Sequence, residues 1–561
     1  MEAGKRNITD IFNRMRVLQI PYFQRAYVWE EDNWERLLND LQAVARTRSP
    51  YFLGSVILKQ RPTGADGSAG DVRIVIDGQQ RLTTLLLFFK VLYAARGQDE
   101  MFKATFFNFA HQLMLDHNRL DKPIFEAILN NALTAEFLTE YASNNVLAAY
   151  RYFESKADNL KSIDPLVLLG NVYFVGIDLG ADEDEQQIFN TINSLGVSLS
   201  TAELLKNDLF NRKNASVYEA TWLPAFESSE DDRLYWTAEI TAGREHRENI
   251  DLFMQSYLLM IVNSPDDVRV DALYASYKQY LAGTTDRGQF IDDLTKCARI
   301  YKRKIDPAIQ DRQVAKQDWL ERLTVIVFGL STTTVVPYIL YLLHASQPEE
   351  RAAIFPLLEG YLVRRVICRE TSKNYNRLFG AWIKGGVKTV AAFKAALIEE
   401  SNTVNRYPDD SVVPTSVKTS TLTNKQALVV LWLLELSIRN DQRQSTALSG
   451  LSHYSLEHLM PKKWRNHWGT LPPLQASERD HALQKLGNLS LLASGLNTSI
   501  SDSAWDIKKH GSGKHKGLLE YATGLETLSE DLKLSEWNEN TIAQRAERLT
   551  SQILSTWPSP I

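Results

Sequence analysis

The residues whose types and spacing best suit chemistry lie in the last fifth of the chain. Glu457 and His458 lie at the end of a run that alternates like a β-strand and stops at a proline. Asn488 lies near the start of a second short apolar run, and Asn497 follows nine residues later, at or just before a helix predicted over about 501–510. The order of strand, loop, strand and helix predicts a ββα-metal outline around these four side chains.

Hydrolysis of a phosphodiester bond needs a base and a cation, and this set offers both. Neutral His458 suits the base near pH 7. Glu457 and Asn497 could give oxygens to Mg²⁺ or Mn²⁺, Asn488 would hold the imidazole in its working orientation, and Lys508 on the closing helix would contact a phosphate. Each residue also has an ordinary explanation, because Glu-His before proline is common, and the two asparagines suit a turn and a helix cap. From the residues alone both interpretations stay open.

Three polar clusters interrupt apolar surroundings nearer the N-terminus. In one of them Asp77-Gly78 ends a predicted buried strand, and the next three residues begin a helix. Backbone amides at a helix start, with Arg81 nearby, suit a phosphate; Gln79 or Gln80 could orient a water, and Asp77 could bind a metal or accept a proton. A plain turn and simple ion pairs would explain the same residues. The candidates for contacts with a nucleotide or DNA are Gln24, Arg25, Asp77, Gly78, Gln79, Gln80, Arg81, Asn193, Lys206 and Asn207.

Hydrophobic periodicity predicts an α+β multidomain chain. Strands over 52–58, 72–76 and 172–177, with a helix from Leu82 to about Ala95, predict an α+β domain over 1–215. Almost wholly helical patterns follow from 216 to about 400, which predicts a helical connector domain over 216–420. The segment 401–424 is rich in Ser, Thr, Asn and Pro, and it marks the boundary before a C-terminal module over 421–561.

Composition limits the class of protein. With 44% hydrophobic and 23% charged residues the chain is typical of a folded globular protein, and we expect no membrane span and a cytoplasmic location. The net charge of −5 excludes a polycation that coats nucleic acid. The two cysteines, Cys297 and Cys368, exclude a disulfide framework and a cysteine-based zinc site. Gly511-Ser-Gly-Lys514 lacks the remainder of a P-loop, and we interpret it as a flexible basic loop.

The C-terminal motifs resemble a known nuclease family. Ser455-Leu-Glu-His-Leu-Met-Pro461, Leu486-Gly-Asn-Leu-Ser-Leu-Leu492 and Trp505-Asp-Ile-Lys508 are similar to the HNH (His-Me finger) domain of GmrSD-type restriction proteins. The resemblance implies that Glu457 and Asn497 bind the metal, that His458 is the general base and that Asn488 orients it.

The N-terminal motifs resemble the ParB/sulfiredoxin-like domain of the same proteins. Ile20-Pro-Tyr-Phe-Gln-Arg25, Tyr51-Phe-Leu-Gly-Ser55 and Ile76-Asp-Gly-Gln-Gln-Arg-Leu-Thr-Thr84 are the matching segments. The resemblance implies binding and hydrolysis of a nucleoside triphosphate, GTP or UTP, at the Asp-Gly-Gln-Gln-Arg motif. Two positions depart from the family pattern: Phe23 replaces a common Tyr, and Leu195 replaces a common Arg.

Together these features predict an NTP-regulated, metal-dependent endonuclease that defends against phage or modified foreign DNA. Whether it forms homo-oligomers is left open by the sequence. Modification-dependent restriction and phosphorothioate-linked defence of the SspE type are both open. The alternatives are a ParB-like DNA-binding protein with an inactive nuclease domain, and a toxin nuclease that acts on RNA.

Overall fold

The chain divides into two compact units in the computed structural model. Unit 1 contains Met1–Ala220 with Tyr274–Gln279, and unit 2 contains Thr221–Leu273 with Tyr280–Ile561. The structure describes residues 2–61, 71–180, 200–242, 245–262, 264, 266, 268–269, 272–400, 404–439, 447–493, 502–512, 515–521 and 524–560.

A mixed six-stranded sheet organises unit 1. Its strands are β1 (Glu2–Asn7), β2 (Arg16–Gln19), β3 (Tyr51–Gln60), β4 (Asp71–Asp77), β5 (Leu115–Asp116) and β6 (Val172–Leu179). Their order across the sheet is β1-β6-β3-β4-β2-β5. The β1/β6 and β3/β4 pairs are antiparallel, and the β3/β6, β2/β4 and β2/β5 pairs are parallel.

Helices cover this sheet and form most of the core of unit 1. They are α1 (Ile8–Ile11), α2 (Glu31–Thr47), α3 (Gln79–Ala95), α4 (Asp99–Phe106), α5 (Lys122–Leu129), α6 (Ala135–Glu140), α7 (Asn145–Ser155), α8 (Ala157–Leu160), α9 (Pro165–Asn171), α10 (Thr201–Leu209) and α11 (Ala215–Ala220). Helix α3 is buried over almost its whole length from Leu82 to Tyr93, which explains its lack of a polar face. Its first turn therefore has a fixed position at the end of β4.

Unit 2 is mainly helical in its first part. The elements are α12 (Glu230–Thr237), β7 (Glu239–Ala242), β8 (Glu245–Glu248), α13 (Asn249–Ile261), α14 (Leu273–Ala282), α15 (Arg287–Lys304), α16 (Trp319–Gly329), α17 (Val336–Ala345), α18 (Pro348–Ile367), α19 (Tyr375–Lys384), α20 (Val390–Glu399), α21 (Val413–Thr419) and α22 (Asn424–Ile438). Residues 274–279 of α14 belong to unit 1.

The remainder of unit 2 contains the predicted strand–strand–helix order. Its elements are β9 (Tyr454–His458), α23 (Pro473–Ala482), β10 (Leu489–Ala493), α24 (Trp505–His510), β11 (Gly511–Ser512), β12 (His515–Lys516), α25 (Leu518–Tyr521) and α26 (Glu539–Thr556). Strands β9 and β10 form an antiparallel pair that sets Glu457 opposite Ser490.

Buried polar contacts join the helical part of unit 2 to its C-terminal part. Arg322 Nε donates to Glu359 Oε2 at 2.8 Å, and Trp557 Nε1 donates to the other oxygen of that carboxylate at 2.7 Å. Arg364 Nε donates to the carbonyl of Trp557 at 2.8 Å. The segments predicted as a middle domain and a C-terminal module therefore lie largely within one compact unit.

The predicted α+β multidomain class is confirmed at that level, and the predicted strands correspond to β3, β4 and β6. Ser200 is the N-cap of α10, and it exchanges hydrogen bonds with Glu203 in a complete capping box. Within the described ranges no helix is both long and apolar enough to cross a bilayer.

Candidate active site

The β9/β10 pair brings the predicted nuclease residues to one place in unit 2. Glu457 and His458 are the last residues of β9, and the N–H of Leu459 continues the pairing by donating to the carbonyl of Asn488 at 2.9 Å. Asn488 lies in a 3₁₀ turn directly before β10, one element earlier than predicted. Helix α24, which starts at Trp505, packs beside them.

An ion pair lies at the centre of this site. The ammonium of Lys508 contacts the Glu457 carboxylate and also donates to the carbonyl of His458 at 2.8 Å. The Lys508 side chain is 0% exposed and that of Glu457 is 6% exposed. Burial raises the pKa of Glu457 and lowers that of Lys508, while each partner opposes the shift of the other. The structure places the Lys508 ammonium against Glu457, and the phosphate contact predicted for it stays a prediction.

His458 keeps an available ring nitrogen. Burial lowers its pKa to about 4, the cations of Lys462 and Lys508 act in the same direction, and a hydrogen bond that the imidazole donates to the Gln484 side chain opposes them. The imidazole is therefore neutral at pH 7. Its Nε2 is buried and has no hydrogen-bond partner among the residues that the structure describes. A neutral imidazole with an unpaired nitrogen can accept a proton.

The hydrogen bonds of the Asn488 side chain go to backbone groups and to Trp537, and its predicted role in orienting the imidazole stays a prediction. Its Nδ2 donates to the carbonyls of Met460 and Leu483, at 2.9 and 3.1 Å. Its Oδ1 accepts from the N–H of Met460 at 2.8 Å and from Trp537 Nε1 at 3.0 Å. Because two donors and two lone pairs are all that an amide offers, its capacity is fully used. Asn488 fixes the backbone that follows His458, and the ring only indirectly.

A second polar cluster lies where β4 meets α3 in unit 1. Asp77 Oδ2 accepts from Ser55 Oγ at 3.0 Å and from Arg81 Nη2 at 2.9 Å. Gly78, with φ of 99°, forms the turn between the strand and the helix, a conformation that L side chains rarely adopt. At Gly54 an added Cβ would stand 2.1 Å from Arg81 Nη1, so it would displace this guanidinium from its present position.

Side-chain hydrogen bonds of Gln80 and Asn207 bring further predicted residues close to the Asp77–Arg81 cluster. Gln80 Oε1 accepts from the backbone N–H groups of Val28 and Trp29, at 3.0 and 3.3 Å, so this amide oxygen is engaged with backbone. Asn207 Nδ2, on α10, donates to Gln24 Oε1 at 3.1 Å. The segment around residues 24–29 is thereby tied both to the first turn of α3 and to α10.

Several buried polar atoms in this neighbourhood lack partners. Arg25 Nε, Gln79 Oε1 and Asn207 Oδ1 have no hydrogen-bond partner within the described part of the chain. Buried polar groups are nearly always paired, so an unpaired set of donor and acceptors is typical of a ligand site. Lys206 is buried beside Asn207 on α10, at 5% exposure. The predicted candidates Asn193 and Asn497, and the departure at Leu195, lie outside the described residues.

Comparison with known proteins identifies the family. The N-terminal domain of GmrSD restriction endonuclease matches residues 8–210, and the C-terminal domain of GmrSD restriction endonucleases matches residues 408–552. The chain belongs to the GmrSD type. No curated protein matches it. Each cluster described above lies inside one of the two matched segments of this GmrSD-type chain. The family supports a restriction nuclease of phage defence whose substrate is DNA.

Phe23, the position where the GmrSD-type chain departs from a common Tyr, is a core contact. The side chain is 3% exposed. Its ring stacks on Tyr218 at 4.1 Å between centroids and meets Phe210 edge-on at 5.9 Å. A hydroxyl at this ring would need a partner within the packed cluster.

Sequence reasoning missed the residues that hold the C-terminal site from α26. Arg545, 0% exposed, donates from Nη1 to the carbonyls of Leu486, Gly487 and Leu489, at 3.3, 3.0 and 2.7 Å. An added Cβ on Gly487 would stand 2.3 Å from the carbonyl oxygen of Ile542. Gly487 could have indicated from sequence that another segment packs closely against the turn before β10. No residue near Arg545 in sequence indicated which groups Arg545 contacts.

A buried network supports the 24–29 segment, and it too was missed. The Tyr27 N–H donates to Asp121 Oδ2 at 2.6 Å, and Asn118 Nδ2 donates to the carbonyl of Arg25 at 3.1 Å. His117 Nε2 lies 2.9 Å from Thr83 Oγ1 on α3. Burial lowers the pKa of His117 to about 4, with Asp121 opposing that shift.

Proposed function

We propose that this GmrSD-type chain hydrolyses phosphodiester bonds of foreign DNA at the β9/β10 site, with His458 as general base. The observation that supports this most is the neutral, buried imidazole whose Nε2 has no partner among the described residues. Such a nitrogen can take the proton of an attacking water. Gln484 and the backbone fixed by Asn488 hold the ring while the proton moves.

The donor set suits a divalent cation, Mg²⁺ or Mn²⁺. Glu457 is a carboxylate buried beside the base, and its charge already attracts a cation, the Lys508 ammonium. Glu457 would hold the metal, with Asn497 as the second predicted ligand. The metal would supply positive charge at the phosphate and at the leaving oxygen. Lys508 and the metal would then compete for the same carboxylate.

Nicking of supercoiled plasmid tests this function directly. We expect relaxation by the wild-type chain in Mg²⁺ or Mn²⁺, and at least a 100-fold loss with His458→Ala, which is the usual scale for removing a general base. His467→Ala is the matched control, because His467 is an exposed histidine nine residues away in the same module. Equal nicking by His458→Ala and His467→Ala would refute the role of His458.

We further propose that the Asp77–Arg81 cluster binds and hydrolyses a nucleoside triphosphate, GTP or UTP, and regulates the nuclease. The unpaired Arg25 Nε, Gln79 Oε1 and Asn207 Oδ1 support a polar ligand there. A guanidinium beside the first turn of a buried helix suits a triphosphate, since the amides and the charge act together. Ser55 and Asp77 hold that guanidinium in place.

Nucleotide binding by the full chain tests the second role. We expect Arg81→Ala to weaken GTP or UTP binding at least tenfold, because one charge-assisted contact is removed. Arg46→Ala, at an exposed arginine in the last turn of α2, should bind like wild type. Plasmid nicking measured with and without nucleotide then tests whether the nucleotide regulates the nuclease. An unchanged nicking rate, together with no hydrolysis of the nucleotide, would contradict that regulation.

A comparison of cleavage rates on differently modified DNA tests which DNA the nuclease recognises. Glucosylated, hydroxymethylated, phosphorothioated and plain DNA of one sequence should be cut at different rates if a modification is sensed. Equal cleavage rates on all four would refute modification sensing but would not contradict the proposed nuclease activity. RNA of the same sequence tests the toxin alternative in the same assay.

A further inference from the structure

Three side chains with metal-ligating atoms meet between two helices of unit 2, in a segment that neither family domain covers. Asp293 and Cys297 lie on α15, and His344 lies in the last turn of α17. One ligand atom from each lies within 4.8 Å of the other two. Cys297 Sγ is 3.3 Å from His344 Nδ1, and His344 Nε2 is 3.6 Å from Asp293 Oδ1.

The sequence positions explain this convergence. Residues four apart on a helix share a face, so Asp293 and Cys297 project from α15 side by side. Helix α17 ends at Ala345, which leaves His344 in its last turn next to them. Tyr257 on α13 donates its hydroxyl to the second oxygen of Asp293 at 3.2 Å. Such an outer contact fixes the orientation of a ligating carboxylate.

We propose that Asp293, Cys297 and His344 form a site for a borderline divalent metal of the Zn²⁺ class. One thiolate, one imidazole and one carboxylate form a donor set that suits Zn²⁺ better than Mg²⁺ or Ca²⁺. Ligand atoms around tetrahedral zinc stand about 3.3–3.8 Å apart, so atoms that now lie within 4.8 Å would have to draw together by up to about 1.5 Å around one ring nitrogen of His344. The composition excluded a zinc site built on cysteines; this site needs only one.

The exposure of the ligands favours an open coordination position. Cys297 is fully buried, while the side chains of Asp293 and His344 are 31% and 24% exposed. Water can therefore complete the coordination from the side of the two partly exposed ligands. The metal would join α15 to α17, and through Tyr257 it would restrain α13 as well. Its first effect is to stiffen the helical part of unit 2.

A cysteine nucleophile is the competing use of the same three residues. Sulfur, imidazole and carboxylate stand in the order that such a triad needs. A nucleophile must reach its substrate as a thiolate, however, and Cys297 Sγ belongs to a side chain with 0% exposure. This burial disfavours the nucleophile, because a substrate could not reach the sulfur.

Cobalt spectroscopy of the full chain tests the site. After treatment with EDTA and a phosphine reductant, one equivalent of Co²⁺ should produce a thiolate-to-cobalt band in the near ultraviolet, and one equivalent of Zn²⁺ should abolish it. Cys297→Ser should remove the band, and Asp293→Asn should weaken Co²⁺ binding at least tenfold. Cys368→Ser is the matched control, since Cys368 is the other free cysteine, and it should keep the band.

The same measurement separates this site from the nuclease. The band reports sulfur coordination alone, so Glu457→Gln should leave it unchanged even if that variant abolishes nicking. A raised melting temperature of the wild-type chain in Zn²⁺, absent in Cys297→Ser, would support the joining of α15 and α17. No band in the folded wild-type chain, or a band lost in Cys368→Ser and kept in Cys297→Ser, would overturn the proposal.

Discussion

Removal of the Lys508 ammonium should destabilise unit 2 and make it dependent on a divalent cation. Lys508→Met keeps the length and the apolar stem of the side chain but leaves the Glu457 carboxylate without its partner. The two side chains are 0% and 6% exposed, so water replaces the lost charge poorly. Breaking one partner of such a buried pair costs about 3–5 kcal/mol in the free energy of unfolding.

Glu457→Gln and the double variant determine how much of the lost unfolding free energy comes from the interaction between Lys508 and Glu457. Glu457→Gln should also destabilise, since it leaves the ammonium buried with only the carbonyl of His458, 2.8 Å away, as partner. In the double variant neither charge remains, so its loss should fall short of the sum of the single losses by about 2 kcal/mol or more. Mg²⁺ should restore part of the stability of Lys508→Met, because the carboxylate then attracts a cation from solution.

Urea unfolding followed by tryptophan fluorescence in EDTA measures these differences. Of the twelve tryptophans only Trp29 and Trp34 lie in unit 1, so the signal reports mainly on unit 2. The reasoning is refuted if the two single losses add in the double variant to within about 0.5 kcal/mol, since independent sites behave in that way. It is also refuted if Mg²⁺ stabilises Lys508→Met no more than wild type.

Three further predictions concern the residues around the two sites. The pKa of His117 is lowered in the folded state to about 4, so the unfolded state binds more protons as pH falls from about 6.5 toward 4. Between pH 7 and pH 5 this histidine should therefore lower the free energy of unfolding by about 2 kcal/mol. In His117→Gln the midpoint of urea unfolding should depend less on pH. Gly54→Ala should weaken nucleotide binding at least tenfold, because its Cβ would stand 2.1 Å from Arg81 Nη1; Gly97→Ala, also at positive φ but with no atom within 4 Å, should bind normally. Asn488→Leu removes four hydrogen bonds at about 1 kcal/mol each, so unfolding should lose about 4 kcal/mol; a loss under about 1 kcal/mol would contradict the role assigned to this amide.

The sequence predicted those elements whose signal is local. Strands β3, β4 and β6 alternate or are wholly apolar, and Asp77-Gly78 marks the turn into α3, so periodicity and turn chemistry were enough. Asn488 was predicted near the start of the second strand, and it lies in the 3₁₀ turn before β10. Existence and type of element were predictable, and the start of each element was less so.

The side-chain roles at the C-terminal site depended on distant parts of the chain. The residue types at Glu457, His458, Asn488 and Lys508 indicated one site, and the structure brings all four together. What Asn488 and Lys508 contact could not be predicted, because Trp537 and Glu457 lie 49 and 51 residues away from them. Spacing along a chain indicates which residues can meet on one element, and tertiary packing decides which atoms are paired across elements.

The reach of Arg545 from α26 to the carbonyls around Asn488 has a consequence for biosynthesis. Residues 457–508 leave the ribosome before residue 545 does, and until then those carbonyls lack the guanidinium that holds them. A nascent chain that already contains Glu457 and His458 therefore lacks these contacts. The proposed site takes its final form only after α26 has been synthesised and Arg545 has reached the carbonyls of Leu486, Gly487 and Leu489.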